Sequence, residues 1–207
     1  DYGIESRPKR GRVESEFYVS GTDVRNYMIK DPLVDWLKLY SPRKPKTGEF
    51  VKFITQRGKD FEAKIVEYLK KKLPIVSVSD KITPESCRET IRLMKEGIHL
   101  IHSAPFKDPQ KNIKGVIDFL VRSDYIHLLV EDCPIPEEVK TMKAPNLSGN
   151  YHYLVIDVKF STLPLRADGI HILNSGSYPA YKSQVWIYTN GISSIQGFTA
   201  RYAFILG

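Results

Sequence analysis

One stretch constrains this chain more than any other: Tyr151–Leu163, YHYLVIDVKFSTL. Its first half is a run of aromatic and β-branched residues, the pattern of a strand buried on both faces. Asp157 and Lys159 break that pattern. Two residues apart in a strand, they project from the same side. A carboxylate and an ammonium at the end of a buried strand are expensive to desolvate without partners, so the strand end is a candidate site. Whatever fold the chain adopts must place this strand centrally and bring partners to its charged end.

The rest of the chain reads as alternating helices and strands. Residues 1–16 are polar and basic and predict a loose tail. Residues 17–47 predict a small helical extension and linker. Within it, Val24, Tyr27 and Met28 follow a cap signal at Ser20–Asp23, and Leu33, Trp36, Leu37 and Tyr40 form an apolar stripe expected to pack onto the main domain. The linker Ser41–Gly48 is basic and carries two prolines.

Residues 48–207 predict the main domain. Phe50, Phe53, Ile54, Phe61, Ile65 and Leu69 mark a long helix from Glu49 to Leu73, with a break expected near Gly58. A short strand at Ile75–Ser79 and a helix from Thr83-Pro84 to Gly97 follow. Strands are expected at Ile98–Phe106, Gly115–Ser123 (extended over Tyr125–Glu131 beyond a bulge), Tyr151–Phe160 and Thr199–Leu206. A helix is expected over Tyr178–Asn190, stopping near Gly191. The loop 132–150 is long enough to suggest a function or mobility. The fold class is therefore α/β, with helices covering a central sheet.

Composition narrows the function classes. The 207 residues are 42% apolar and 27% charged, ordinary for a soluble globular chain. No apolar run approaches the length of a membrane span, about 18 residues, and the start lacks the pattern of a signal peptide. Asp1 in place of Met leads us to expect a processed chain or part of a longer product with further domains. Two cysteines, Cys87 and Cys133, make neither a disulfide framework nor a four-thiolate metal site and favour a reducing, intracellular setting. The net charge of +7, with dense patches at Arg7–Arg12 and Arg43–Lys46, favours a polyanion as partner.

If the strand carrying Asp118 pairs with the strand carrying Asp157, the two carboxylates can face each other across the ladder. They then repel unless a cation intervenes. Such oxygen ligands suit Mg²⁺ or Mn²⁺ completed by water and a substrate phosphate. Lys159 could neutralise charge or hold a phosphate, and together these are the parts of a metal-assisted phosphodiester hydrolase. The five histidines are dispersed; His99 and His102, three apart on opposite faces of a strand, make a poor metal pair. Tyr178, Tyr181, Trp186 and Tyr188 are read as core packing, Trp186 above all, with base stacking as the alternative.

Four short motifs come in a set order: QRGKDFE at 56–62 on a helix, G-x-x-D at 115–118, D-x-K at 157–159, and Q-x-x-x-Y at 184–188 on a helix. Together they resemble the PD-(D/E)xK nuclease superfamily, and within it the RecB-like branch, over about residues 50–206. The resemblance implies a restriction-endonuclease-like core of αβββαβ order and a Mg²⁺- or Mn²⁺-dependent nuclease acting on DNA rather than RNA. It implies Asp118 and Asp157 as main metal ligands, Glu62 as an outer ligand and the Val158 carbonyl as a further one. Lys159 would position or activate the attacking water, and Gln184 and Tyr188 would hold the substrate strand or buttress the site. Ile117 stands where the superfamily's name motif has proline. Two cysteines cannot carry the iron–sulfur cluster of some relatives, so none is expected. Alternatives are a nucleic-acid-binding module that keeps the fold without catalysis, and a viral cap-snatching RNA endonuclease. Exonuclease and endonuclease action are equally open.

Overall fold

In the computed structural model, residues 17–41 and 48–207 are described. The expected tail 1–16 and the Arg43–Lys46 patch lie outside these residues. Six helices and five strands are named in chain order: α1 Asp23–Met28, α2 Leu33–Tyr40, α3 Glu49–Lys70, β1 Ile75–Ser77, α4 Pro84–Glu96, β2 Leu100–Asp108, β3 Ile113–Arg122, α5 Glu137–Lys140, β4 Tyr153–Val158, α6 Tyr178–Gln196 and β5 Phe204–Leu206. No helix among the described residues is long and apolar enough to cross a membrane.

The strands form one mixed sheet in the order β1-β2-β3-β4-β5. β1 runs parallel to β2, and β4 parallel to β5; β2–β3 and β3–β4 are antiparallel. The α/β class expected from the sequence is thus observed, with helices flanking the sheet. β4 is second from an edge and buried on both faces. Tyr153 and Val155 join the core that contains Met94, Phe106, Val185, Tyr188 and Ile192, under α4 and α6. Leu154 and Ile156 join the opposite core, with Leu69, Leu73, Phe119 and Ile126, under the end of α3. Asp157 continues the parity of Tyr153 and Val155, towards α6.

Helix ends follow local chemistry. Thr83 accepts the Ser86 N–H at 3.2 Å and the Thr83 N–H donates to Ser86 Oγ at 3.0 Å, a reciprocal cap at the start of α4. Gly97 closes that helix with φ of 76°. The expected stop of α6 near Gly191 is not observed. The helix runs on to Gln196 and closes at Gly197, whose φ is 70°. Gly191 serves packing instead: a Cβ there would overlap the Phe106 ring. We expect Gly191→Ala to destabilise the protein by about 1–3 kcal/mol, the usual range for overpacking, measurable by urea denaturation.

Other expectations also change. α3 is continuous through Gly58, because a lone glycine weakens a helix by only about 1 kcal/mol. The segment after β3 is not a strand extension but a 3₁₀ turn, Ser123–Leu128. There the Arg122 guanidinium reaches over to both Asp124 oxygens, at 3.0 and 2.6 Å, and Ile126 turns into the core. Loop 132–150 contains α5 and is anchored by buried Ile135, Ala144 and Leu147. The α2 stripe does not pack as expected: Leu33, Trp36, Leu37 and Tyr40 are exposed, as are Phe50, Phe53 and Ile54 of α3. Trp186, expected in the core, is 64% exposed. It sits on the outer side of α6, whose inner side is supplied by Val185, Tyr188 and Ile192.

Candidate active site

β3 and β4 pair through Phe119↔Ile156. One step further that register sets Asp118 opposite Asp157, but the backbone ladder ends before it. Asp118 takes over with its side chain, accepting the Val158 N–H on Oδ2 at 2.6 Å. The β2–β3 ladder is interrupted at the same level: it pairs His102 with Phe119 and Ala104 with Ile117 and skips Ser103 and Asp118. Ser103 has φ of 52°, a left-handed conformation costing a non-glycine residue roughly 1–2 kcal/mol. Across the skip the strand parity shifts. Ile101 and Leu120 before it, and Ala104 and Ile117 after it, all enter the α6-side core. The strained residue is Ser103, directly across the skipped level from Asp118, and backbone strain of this kind clusters at functional sites.

Asp157 has no solvent exposure, and neither of its carboxylate oxygens accepts an aligned hydrogen bond. Its one close polar neighbour is Lys159, whose Nζ lies 2.6 Å from Oδ2 as an ion pair. The Lys159 ammonium also stands 5.6 Å from the centre of the Tyr181 ring. Burial raises the Asp157 carboxyl above the usual carboxylate range. Lys159 opposes that rise and Glu62 adds to it. Asp118 is pushed up to about 7, first by burial and then by the charge of Asp157, against the Val158 N–H and Lys159. Each aspartate thus makes the other harder to ionise, as expected of like charges sharing one low-dielectric site.

Glu62 approaches from α3. Its Oε1 lies 3.1 Å from His102 Nε2, and the other ring nitrogen of His102 lies 3.1 Å from Ser77 Oγ. This places Glu62 within electrostatic reach of both aspartates but tied to β2. Gln184 donates its amide to the Tyr188 hydroxyl at 2.8 Å. Tyr188 is buried and meets Phe106 edge-on at 6.0 Å. Burial, with Asp157 and Asp118 adding to it, keeps its hydroxyl protonated well above its ordinary range. Two glycines make room for this pair. A Cβ on Gly115 would come within 2.6 Å of Tyr188, and one on Gly21 within 2.5 Å of Gln184.

All seven residues singled out from the sequence therefore belong to one region, in three groups. Asp118, Asp157, Val158 and Lys159 interlock directly. Glu62 stands at their rim through His102, and Gln184 and Tyr188 line the α6 side. The sequence reading set His102 aside. His102 shares a face with Leu100, on the side covered by the end of α3, and its pairing with Glu62 depends on where α3 packs, which no spacing rule encodes.

Among the described residues, no three His, Cys, Asp or Glu side chains converge closely enough to hold a metal ion by themselves. The two aspartates nevertheless fit a hard divalent cation. Asp157 is fully buried, with Oδ1 reached by no donor and Oδ2 paired to Lys159 at 2.6 Å, and Mg²⁺ is commonly held by one or two carboxylates plus water and phosphate. No protein-family model, curated protein or solved structure matches this chain.

Proposed function

We propose that this chain is a divalent-metal-dependent nuclease of the PD-(D/E)xK type, with a restriction-endonuclease-like core of the RecB-like branch, hydrolysing phosphodiester bonds of DNA. The observation that carries the reading is the pairing of buried Asp157 with Asp118 at one level of the sheet, two carboxylates that share the single ammonium of Lys159. Two carboxylates against one ammonium leave a negative charge unmatched in a low-dielectric site, which makes the pair a functional candidate. A divalent ion held by Asp118, Asp157 and the Val158 carbonyl would supply charge neutralisation and a nucleophilic water at neutral pH.

The chain's own residues supply the rest. Asp118, fixed by the Val158 N–H, keeps one oxygen in place and the other free. Lys159 brings a positive charge beside Asp157, where it can meet the charge that gathers on phosphate oxygens during hydrolysis. Glu62, steadied by His102, adds a carboxylate at the rim able to accept a proton or a water hydrogen bond. Tyr188 and Gln184 act as a buttress, since the amide of one is spent on the hydroxyl of the other. The net charge of +7 suits a polyanionic substrate. DNA is preferred to RNA on the motif resemblance alone.

The deciding experiment incubates the purified chain with labelled single- and double-stranded DNA and RNA in Mg²⁺, Mn²⁺ or EDTA. Cleavage that appears with metal and vanishes with chelator is expected. The absence of metal-dependent cleavage from every substrate would end the nuclease reading. A second reading, a binding module without catalysis, draws on Lys159 lying against Asp157 and on the lack of a third converging metal-capable side chain among the described residues. It predicts salt-sensitive binding with no chelator-sensitive cutting.

A further inference from the structure

Helix α3 is 22 residues long, yet Leu69 is its one buried residue. Its last turns cover the sheet; its first turns stand away from the domain. A Cβ added to Gly58 would meet nothing within 4 Å. On this overhang Phe50 is 74% exposed and Phe53 53% exposed. At about 100° per residue, Phe50, Arg57 and Phe61 fall on one narrow line, with Phe53 on its flank. The Arg57 guanidinium lies 5.1 Å from the Phe53 ring centre. Phe61, at the lower end, meets Phe160 at 5.7 Å. Phe160 follows Lys159 directly in sequence and is itself 54% exposed. A line of rings thus runs from the free end of α3 to the catalytic strand, over about 16 Å of helix.

The charges along it are mixed in a particular way. Glu49 is neutralised by Lys52 at 2.8 Å, and Asp60 accepts from Gln56 at 2.8 Å. Arg57 and Lys64 add positive charge on the side of the rings, while Lys59 falls on the opposite side of the helix. Exposed aromatics interleaved with cations suit a single nucleic-acid strand, because every base offers a π face and every phosphate a charge. A duplex keeps its bases stacked inside, out of reach of such rings.

We propose that the exposed face of the first turns of α3, Phe50–Phe53–Arg57–Phe61, is a binding track for an unpaired nucleic-acid strand, which it leads past Phe160 to Asp118 and Asp157. The proposal rests on the nuclease reading and specifies its substrate: a strand unpaired over roughly four or five stacked nucleotides, at about 3.4 Å each.

The test measures binding of the full chain in EDTA to a fluorescein-labelled oligothymidylate and to a blunt duplex of the same length, by anisotropy. The single strand should bind more tightly. The double variant Phe50→Ala/Phe53→Ala should lose at least about tenfold in affinity for it, given what stacking contributes per base. Arg57→Gln should lower the salt dependence by close to one counterion. All three positions are away from the core, and circular dichroism checks that the variants stay folded. Equal binding of strand and duplex, or unchanged affinity of the double variant, would overturn the track. So would a double variant that changes only the sedimentation of the protein, which would make this face a protein interface. The two claims fail separately. Ring-dependent strand binding without metal-dependent cutting supports the track and removes the nuclease; cutting with ring-independent binding does the reverse.

Discussion

Under the nuclease proposal, Asp157→Ala is expected to reduce metal-dependent cleavage by at least about 10³-fold and to leave the protein folded. Residues that merely orient a metal ligand cost about 10–100-fold when lost, so a residue holding the ion itself must exceed that. The fold should survive because Asp157 forms no aligned hydrogen bond that the sheet depends on. Its partner Lys159 keeps 18% of its side chain exposed and can turn to solvent. The Asp118 carboxyl should also fall back towards its ordinary range, since the charge of Asp157 is one of the causes raising it. Cleavage time courses with thermal melts in EDTA check both halves. A variant that cuts at the wild-type rate would remove Asp157 from the chemistry. The comparison with Asp118→Ala is informative too: that change also takes the acceptor from the Val158 N–H, so a loss of stability should accompany the loss of cleavage.

Mg²⁺ is expected to raise the melting temperature at pH 8 and not at pH 5. The sign follows from linkage. Asp118 and Asp157 are raised in the folded state, so between about pH 4 and 7 the folded protein holds more protons than the unfolded chain. Without metal, the aspartate pair therefore favours folding at acid pH and opposes it as pH rises through the folded values, where two buried like charges face each other. A divalent cation removes that penalty once the pair is ionised and cannot compete with protons below. At a hundredfold excess over its dissociation constant the gain is about 2.7 kcal/mol, or roughly 5–11 °C for a chain of this size. Asp157→Ala should lose the increment. His152 acts in the opposite sense. Burial lowers its pKa, and its Nε2 has no hydrogen-bond partner. Its contribution is complete above its unfolded value near 6.5 and is lost as pH falls towards its lower folded value. Melting curves at pH 5 to 8, with and without Mg²⁺, separate the two, because only the aspartate effect depends on metal.

Much of the architecture was legible because it rests on local pattern. YHYLVIDVKF is a two-faced run, and β4 is buried on both faces. Thr83-Pro84 and Gly97 bound α4 through a cap and a left-handed turn that need no tertiary partner. Where the reading failed, the deciding contact was distant in sequence. Gly191 resembled a helix stop, but the nearby Phe106 ring uses its missing side chain. Tyr125–Glu131 alternates like a strand, but Ile126 is buried with Leu69, Leu154 and Ile156 and the segment closes as a 3₁₀ turn. Trp186 and the stripe of α2 show the limit of hydrophobicity as a guide: apolar residues at helical spacing mark a face without saying that anything covers it.

The candidate site divides along the same line. From the sequence came the residue types, their order and the same-face relation of Asp157 and Lys159, because side-chain alternation along a strand is a property of the backbone. Tertiary structure decided which carboxylates meet. The register that sets Asp118 opposite Asp157, the left-handed Ser103 where β2 and β3 part, and the His102 that ties Glu62 to β2 are all set by pairing between strands and packing of α3. Tertiary structure also decided burial. Asp157 is an ordinary carboxylate in the sequence, and the covering of β4 by α6 and its neighbours leaves it with no exposed surface and Lys159 as its ion-pair partner. That desolvation, which no local pattern contains, raises the carboxyl of a strand-end aspartate above its usual range against the pull of Lys159.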